Sequence, residues 1–429
     1  MNNDRLKVLI IPESLNWILG KYAKEIARWN PQYDCQIIPS IFIKNHLKKF
    51  TNISRRFDLI HYLLPQPFLE INETLGNNCA CVCALHHIVN WQEIKRVALA
   101  DAIMVGSTEW RDFIEERGVP SSRIVLVPGG VDTDKFIPPA VSEKQKIRKQ
   151  LGIPDKAFVI GSFGHQSPYV FGRKGGDIFI EAINSLATKI NNLAVLIVGF
   201  GWKNIVRKIK SRKLHVTYIV FGYEKDLPRY YKALDCYWIT SRIEGGPIPL
   251  LESMSSAIPV ITTPVGLAKD IVIDGENALV VQKDNPAGFC EKTLGLIRSR
   301  ALRDRLAEKG RETVLRKCHW NHFSKSIPIL YEKALANRSV KMATRSLGSE
   351  KNLIIKRLQN DIKNIEIEDT INLIRFIRKA GDCAQADKMQ LRLWMKYPLS
   401  VIPLNPIASF LSAARYNHTI RRIFHKKPI

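Results

Sequence analysis

The chain has 429 residues, of which 45% are hydrophobic and 24% charged, and its formal net charge is +25. The composition is that of a soluble globular protein, and the length excludes a single ordinary core and predicts two domains with an appendage. The excess of basic residues predicts a polyanionic partner: an anionic membrane surface, a phosphorylated substrate or nucleic acid. Solubility alone is the simpler explanation of the same charge.

The start of the chain, Met1-Asn-Asn-Asp-Arg5, leads directly into an apolar strand without the pattern of a secretory signal. No apolar run approaches the ~20 residues of a membrane span. Three of the eight cysteines, Cys79, Cys81 and Cys83, alternate within an apolar run and have poor spacing for zinc. These features predict a cytoplasmic protein with reduced, buried thiols and no metal site.

Both halves of the chain alternate short apolar runs with helical patterns, which is typical of parallel sheets covered by helices. Strands are predicted in the first half at 7–11, 36–39, 59–63, 80–85, 102–105 and 124–127. In the second half they are predicted at 158–161, 194–198, 216–221, 236–240, 259–262 and 278–281. Pro138, Pro139 and the charged stretch 143–150 mark the linker between two doubly wound units.

The most informative segment is Ser241–Glu252, which carries Glu244 and Glu252 on either side of a Gly-Gly-Pro break. The preceding run Cys236–Thr240 predicts a strand, and Pro249 favours the first turn of a helix. Free backbone N–H groups at a helix start form a natural seat for phosphate. A carboxylate on each side could accept hydrogen bonds from sugar hydroxyls, so the segment predicts a nucleotide-sugar site. Two buried structural carboxylates are the alternative.

This segment resembles the E-x7-E signature of retaining glycosyltransferases of family 4. Further motifs continue the resemblance in the same order: Val127–Asp132, Lys174–Asp177, Leu196–Gly201, Phe221-Gly222, Tyr231–Asp235, Pro259–Gly266, Asp270 and Asp274–Val280. The resemblance implies a GT-B fold, with two Rossmann-like domains at 1–140 (acceptor side) and 141–317 (nucleotide-sugar side). It also implies a closing helix at 318–334, and residues 335–429 are predicted to form a basic, all-helical extension with 18 basic and 7 acidic residues.

The resemblance assigns Lys174 to the donor phosphates, Glu244 to the donor sugar or phosphate region and Glu252 to the ribose hydroxyls. An arginine that relatives carry after a strand-end glycine is replaced here by His165, so Arg173 or His165 is expected to supply the charge. Gly245, Gly246 and Ile248 are expected to contact the donor, since Pro247 has no N–H to donate. Ala257 stands where a glycine normally ends the helix. A plain solvated loop is the alternative for Lys174.

The carboxyl end of a strand in an open α/β sheet is where ligands bind, and His86 lies at such an end. The resemblance places a histidine near the reacting sugar there, with His87 as the competing candidate and a structural role as the alternative for either. Gly20 occupies roughly the place of the family's first glycine-rich loop, on the acceptor side. Asp132-Thr-Asp134 belongs to a linker motif, so no metal or other cofactor is expected.

Two patches predict contact with an anionic membrane. Residues 41–57 place Ile43, Leu47 and Phe50 at helical spacing among basic residues, and the tail from Arg415 to Lys427 is also basic and amphipathic. An ordinary domain helix with a basic outer face fits the first patch almost as well.

The sequence as a whole predicts a metal-independent, retaining glycosyltransferase that is cytoplasmic or peripheral on the inner face of the membrane. It would transfer a sugar from a nucleotide-sugar donor to a cell-surface glycan or a lipid-linked precursor, such as those of lipopolysaccharide. A catalytically weakened GT-B scaffold is the alternative. Nucleic acid is not an expected partner, because no aromatic-plus-basic module accompanies the charge.

Overall fold

The computed structural model describes residues 5–76, 78–88, 90–166, 168–209, 214–220, 227–361, 374, 378–379, 381–382 and 384–389. Phe221-Gly222 and the predicted basic tail from Arg415 to Lys427 lie outside these residues. The described chain folds into two parallel six-stranded sheets with helices on their faces, followed by helical segments. The predicted fold class, GT-B with a helical C-terminal region, is confirmed.

The first sheet is built from alternating strands and helices, and its order is β2-β1-β3-β4-β5-β6. Its strands are β1 Leu6–Ile11, β2 Tyr33–Ile37, β3 Leu59–Tyr62, β4 Ala80–Leu85, β5 Ala102–Val105 and β6 Ile124–Leu126. The helices between them are α1 Ile18–Trp29, α2 Ser40–Asn45, α3 Pro65–Leu75, α4 Trp91–Ile94 and α5 Thr108–Glu115. Val8 of β1 pairs with Cys35 on one side and Leu59 on the other, so the strand order reverses at β1.

The second sheet has the order β12-β11-β10-β7-β8-β9. Its strands are β7 Phe158–Phe163, β8 Leu193–Val198, β9 His215–Ile219, β10 Cys236–Ile239, β11 Val260–Thr262 and β12 Leu279–Val280. The helices, beginning with one that precedes β7, are α6 Val141–Gln150, α7 Pro168–Phe171, α8 Gly176–Lys189, α9 Lys203–Lys208, α10 Leu227–Lys232, α11 Ile248–Ser255, α12 Ala268–Ile271, α13 Pro286–Arg298 and α14 Arg300–Lys317. Because β7 and β10 are neighbours, the connections run outward in opposite directions from this pair, which forms a topological switch point.

A long last helix, α15 Trp320–Asp361, begins against the first sheet. Its residues Trp320, Phe323, Ile327, Leu330 and Tyr331 are buried in one apolar cluster with residues of β1 and α1. Residues 1–339 form one compact unit and residues 340–429 another. In the second unit, Gly381 makes a turn at φ +89° between helical residues 378–379 and 384–389.

The single amphipathic helix predicted for residues 41–57 is wrong. The segment forms α2 and two short 3₁₀ turns, Leu47–Phe50 and Ile53–Arg56, separated by Asn52 in the left-handed conformation (φ 57°). Pro39 has no N–H for the sheet and precedes α2, which is why β2 ends at Ile37, before the predicted end. Ile43 and Phe50 are buried in the core of the first domain. Their helical spacing therefore largely reflects packing in that core and not a face turned to a membrane.

The cysteines follow the prediction in the described part of the chain. Seven are free, and all of them except Cys35 are buried.

The end of α11 carries backbone strain at Ala257. The residue has φ 53°, where glycine is normally found, and Ile258 N–H closes the turn onto the Ser253 carbonyl (2.9 Å). A side chain in this region costs roughly 1 kcal/mol relative to glycine.

We predict that Ala257→Gly raises the free energy of unfolding by about 0.5–1 kcal/mol, because it relieves this strain. Urea denaturation of the two proteins measures the difference. Ala307→Gly, inside α14, is the matched control and should lower stability by a similar amount. A loss of stability in both variants would contradict the interpretation.

Candidate active site

The switch point of the second sheet brings two loops together at the carboxyl ends of β7 and β10. Gly164 and His165 follow β7, and Thr240–Glu244 follow β10. In open α/β sheets the crevice at such a point is where ligands bind. The predicted strand, glycine turn and helix of the E-x7-E segment are present as β10, residues 240–247 and α11.

Glu244 lies in this crevice between two cations. Its carboxylate is 3.0 Å from the Arg173 guanidinium and 3.6 Å from Lys174 Nζ, and it accepts a hydrogen bond from Ser241 Oγ (3.0 Å). Only 12% of the Glu244 side chain is exposed. Burial would raise the pKa of Glu244, but Lys174 and Arg173 outweigh it and hold this pKa below its ordinary value. The site therefore contains an ionised carboxylate and two cations, with one positive charge in excess.

Lys174 and Arg173 are held in place by a turn that is bonded to the loop after β10. Thr240 Oγ1 donates to the carbonyls of Lys174 and Gly175 (both 3.0 Å), and Arg173 Nη1 donates to the Ile243 carbonyl (2.9 Å). Gly175 has φ 62°, and a Cβ there would lie 1.9 Å from the Thr240 carbonyl oxygen, so only glycine fits. This close approach places Lys174 and Arg173 beside Glu244.

Lys174 also reaches the other loop of the crevice. Its Nζ lies 3.6 Å from where a Cβ on Gly164 would be. Because Gly164 has no side chain, the ammonium group is close to both loops of the switch point. Arg173 contacts the same carboxylate as Lys174. That Arg173 or His165 supplies the charge of the missing arginine stays a prediction.

His86 and His87 approach from the first domain, at the end of β4. His86 Nε2 donates to the Leu63 carbonyl (3.0 Å), which leaves Nδ1 as an acceptor. Burial lowers the pKa of His86 to about 4. Burial, and then the charge of Arg173, lowers the pKa of His87 to about 4. Both imidazoles are therefore neutral near pH 7, and His87 lies within electrostatic range of Arg173 and Glu244.

The glycine turn itself is packed against the first domain. A Cβ on Gly245 would lie 1.3 Å from the His86 carbonyl oxygen, and the Gly245 carbonyl accepts from Leu267 N–H (3.0 Å). Gly246 is half-buried, and Ile248 Cδ1 lies 3.2 Å from where a Cβ on Gly129 would be. Gly245 and Ile248 thus meet residues of the first domain in this structure, in addition to any donor contact predicted for them.

Glu252 differs from Glu244 in its surroundings. It is 1% exposed and accepts a hydrogen bond from Tyr231 Oη (2.8 Å). The structure therefore gives Glu252 a protein partner, and its role toward a ribose remains a prediction.

Two predicted site residues lie at the edge of this group. The exposed His165 ring stacks edge-on against Trp17 of the first domain, with 5.6 Å between ring centroids. Gly20 is buried in the first turn of α1, where a Cβ would lie 2.5 Å from the Leu15 carbonyl oxygen. Gly20 therefore allows close packing inside a helix, not in a glycine-rich loop.

Trp110, which no motif in the sequence marks as a site residue, donates from its indole Nε1 to the Glu244 carbonyl (2.9 Å). Trp110 follows β5 by a few residues, so the rule that ligands meet strand carboxyl ends could have found it. Among the described residues, no group of three or more His, Cys, Asp or Glu side chains is arranged to hold a metal ion. None of the helices in the described part of the chain has the length and apolar character of a membrane span.

Comparison with known proteins gives a match in each half of the chain. Residues 20–135 match the model of Glycosyltransferase Family 4, and residues 143–313 match that of Glycosyl transferases group 1. The crystal structure of HepE from Anabaena in complex with UDP-glucose superposes with a TM-score of 0.65 at 16% identity, covering 76% of this chain and 99% of that one. The fold is GT-B. Both of its domains match glycosyltransferase family models.

Curated relatives are similar over shorter stretches. A D-inositol 3-phosphate glycosyltransferase of Xylanimonas cellulosilytica is 26% identical over 56% of this chain, and the alignment covers 59% of that protein. A lipopolysaccharide core biosynthesis mannosyltransferase of Rhizobium meliloti is 27% identical over 43% of this chain and 52% of its own length. The chain thus spans little more than half the length of these two relatives.

A third histidine, His61, lies in the core of the first domain. His61 Nδ1 is 3.1 Å from Tyr331 Oη, and its Nε2 is buried without a described hydrogen-bond partner. Burial, and then the nearby His86, lowers the pKa of His61 to about 3. His61, His86 and His87 are therefore all neutral in the folded protein near pH 7.

We predict that the protein loses stability on acidification through these histidines. An unfolded histidine titrates near pH 6.5, so between about pH 6.5 and 4 the unfolded chain binds more protons than the folded one, and stability falls as pH falls. His61→Asn keeps an acceptor for Tyr331 and removes one titrating group. As pH falls through this window, the unfolding free energy of the variant should therefore decrease by about 1.4 kcal/mol per pH unit less than that of the unmodified protein. Parallel urea titrations between pH 7.5 and 4.5 measure the slopes, and equal slopes would contradict the assignment.

Proposed function

We propose that the protein transfers a sugar from a nucleotide-sugar donor, with retention of anomeric configuration, to a glycan or lipid-linked precursor of the cell surface. The observation that carries the proposal is the group of Lys174, Arg173 and ionised Glu244 at the switch point of the second sheet. Two fixed cations beside one acid suit a ligand that carries both a diphosphate and hydroxyl groups.

In this mechanism the cations act on the leaving diphosphate. Departure of the nucleotide leaves an oxocarbenium-like sugar and concentrates negative charge on the phosphate oxygens, so preorganised positive groups lower the barrier. Lys174 supplies a point charge, while Glu244 and the Ile243 carbonyl fix the orientation of Arg173. Positive charge from the protein would make a metal ion unnecessary, which is why we propose a metal-independent transferase.

The first domain would supply the groups that meet the sugar hydroxyls and the acceptor. His86 is neutral, and its Nδ1 can accept a hydrogen bond from a hydroxyl. The departing phosphate takes the acceptor proton in this scheme, which places acceptor and leaving group on the same face of the sugar, as retention requires. Glu244 is kept ionised by its neighbours and would accept a hydrogen bond from a donor hydroxyl.

The similar proteins support the donor and acceptor classes. The HepE structure contains UDP-glucose, which supports a nucleotide sugar as the donor. One similar protein is named a lipopolysaccharide core biosynthesis mannosyltransferase and another a D-inositol 3-phosphate glycosyltransferase. We therefore propose an acceptor that carries a glycan or a phosphate group.

We further propose that α2 binds the protein to the inner face of an anionic membrane. Although Ile43 is buried, Ile41 and Phe42 are 60% and 49% exposed. Lys44 lies in α2, and Lys48 and Lys49 lie in the 3₁₀ turn that follows it. Exposed apolar side chains beside lysines suit the boundary between headgroups and acyl chains, and a lipid-linked acceptor would be found there.

We predict that Lys174→Ala lowers kcat/KM by about tenfold to a hundredfold, because a lost charge contact costs ~1.5–3 kcal/mol. Thermal-shift screening against UDP-, GDP-, ADP- and CMP-sugars first identifies the donor, since a bound ligand raises the melting temperature. Transfer and donor hydrolysis are then measured with that donor. Lys189→Ala, at the end of α8, which begins directly after the turn that carries Lys174, is the control and should retain activity.

Turnover of Lys174→Ala within about threefold of the unmodified protein would contradict the role of Lys174.

The second candidate function, a catalytically weakened scaffold, is favoured by one observation: Glu244 already pairs with both cations of the site. Nucleotide binding without any donor hydrolysis or transfer would support the scaffold over the enzyme.

We predict that Ile41→Ser combined with Phe42→Ser lowers binding to vesicles containing anionic lipid by at least about tenfold, since two large apolar side chains no longer insert. Vesicle co-sedimentation at two salt concentrations measures the binding and its electrostatic part. Val141→Ser removes a side chain that is 77% exposed in α6 of the second domain and serves as the control. Equal binding of the double variant and the unmodified protein would exclude α2 as the contact.

A further inference from the structure

The first three residues of α5 each contact the second domain. Thr108, Glu109 and Trp110 follow the end of β5 and meet Asp270, Gly266, Lys269 and Glu244 across the cleft between the two sheets. Two of these contacts involve carboxylates and one an indole N–H. The start of α5 is therefore a point at which one short segment of the first domain holds several residues of the second.

Two of the contacts satisfy free backbone N–H groups reciprocally. The carboxylate of Asp270, on α12, accepts from the Thr108 N–H (3.0 Å) and from its hydroxyl. In return, the carboxylate of Glu109 accepts from the Gly266 N–H, in the turn before α12, and contacts Lys269 Nζ (both 2.6 Å).

This arrangement corresponds to a capping box divided between two domains. Ser107, the residue type that usually caps its own helix, makes no such side-chain bond. The start of α5 is therefore capped by the other domain.

The third contact fixes the loop that carries Glu244. Trp110 is 6% exposed and packs edge-on against Phe113, with 5.5 Å between ring centroids, and its Nε1 donates to the Glu244 carbonyl (2.9 Å). Ile243, the residue before Glu244, packs against the apolar cluster of the first domain. The following residue, Gly245, lies directly against the His86 carbonyl. Three consecutive residues of the second domain are thus held by the first.

We infer that Trp110 is a positioning residue: with the two reciprocal caps it holds the Glu244 loop in the geometry that the site needs. The carboxylate of Glu244 is oriented by Arg173, Lys174 and Ser241 of its own domain. Its backbone is oriented from the first domain. The inference deepens the proposed function and rests on it for the kinetic consequence, whereas the positioning itself can be measured without turnover.

Hydrogen–deuterium exchange of the full chain tests the positioning directly. In Glu109→Ala, a first-domain change, the second-domain peptide containing residues 265–271 should exchange about tenfold faster, since its carboxylate acceptor is lost. In Asp270→Ala, the first-domain peptide containing residues 107–111 should respond in the same way. Glu109→Gln keeps an acceptor for Gly266 and should restore much of the protection. Peptides of β7 should not change in any variant.

Trp110→Phe tests the contact with Glu244. It keeps the aromatic packing and removes only the N–H, so the peptide covering residues 241–246 should exchange faster, and kcat should fall about fivefold or more. The KM for the donor should change less than kcat, because the donor groups remain in place. The matched control is Trp91→Phe, which alters an indole of the same aromatic cluster, 6.3 Å from Phe113.

Faster exchange confined to the opposite domain, with a fall in kcat for Trp110→Phe and not for Trp91→Phe, would support the inference. Unchanged exchange at residues 241–246 in Trp110→Phe, or equal kcat in the two tryptophan variants, would overturn it. If the unmodified protein shows no transfer with any donor, the proposed function fails. The exchange measurements then still decide whether the start of α5 holds the Glu244 loop.

Discussion

The buried ion pairs of Glu244 are the interaction on which the site depends. A carboxylate that is largely removed from water is costly unless charged partners and hydrogen bonds replace the water. Arg173, Lys174 and Ser241 provide these partners, and despite burial, which raises it, the charges of Lys174 and Arg173 hold the pKa of Glu244 below its ordinary value. The same contacts fix two cations at the crevice, so one interaction stabilises the acid and prepares a seat for an anionic ligand.

That interaction requires backbone segments to approach unusually closely, and glycines permit this at two positions. Gly175 lies against the Thr240 carbonyl and thereby brings the turn with Lys174 to the end of β10. Gly245 lies against the His86 carbonyl and thereby brings the loop with Glu244 to the first domain. A side chain at either position would separate the groups that the site combines. Gly175 and Gly245 therefore set the geometry of the site through close packing.

The site lies where the two domains contact each other, so its residues come from distant parts of the chain. The second domain contributes the cations and Glu244, while the first contributes two neutral histidines and the contacts of α5. The caps by Asp270 and Glu109 satisfy polar backbone groups that would otherwise face the cleft. The charged residues of the cleft thus serve the backbone as well as any ligand.

The sequence by itself determined the two parallel sheets and the strand–turn–helix of the E-x7-E segment. These features follow from local rules, namely apolar periodicity, proline and glycine chemistry and the spacing of Glu244 and Glu252. Only the tertiary structure decided that Glu244 pairs with Arg173 and Lys174 whereas Glu252 bonds to Tyr231. It also decided that residues 41–57 form three short pieces and that Trp110 holds the Glu244 loop. Trp110 and Glu244 are 134 positions apart, Arg173 and Glu244 are 71 apart, and Tyr231 and Glu252 are 21 apart. Which side chains of residues 41–57 are buried depends on the core, and no local pattern encodes either.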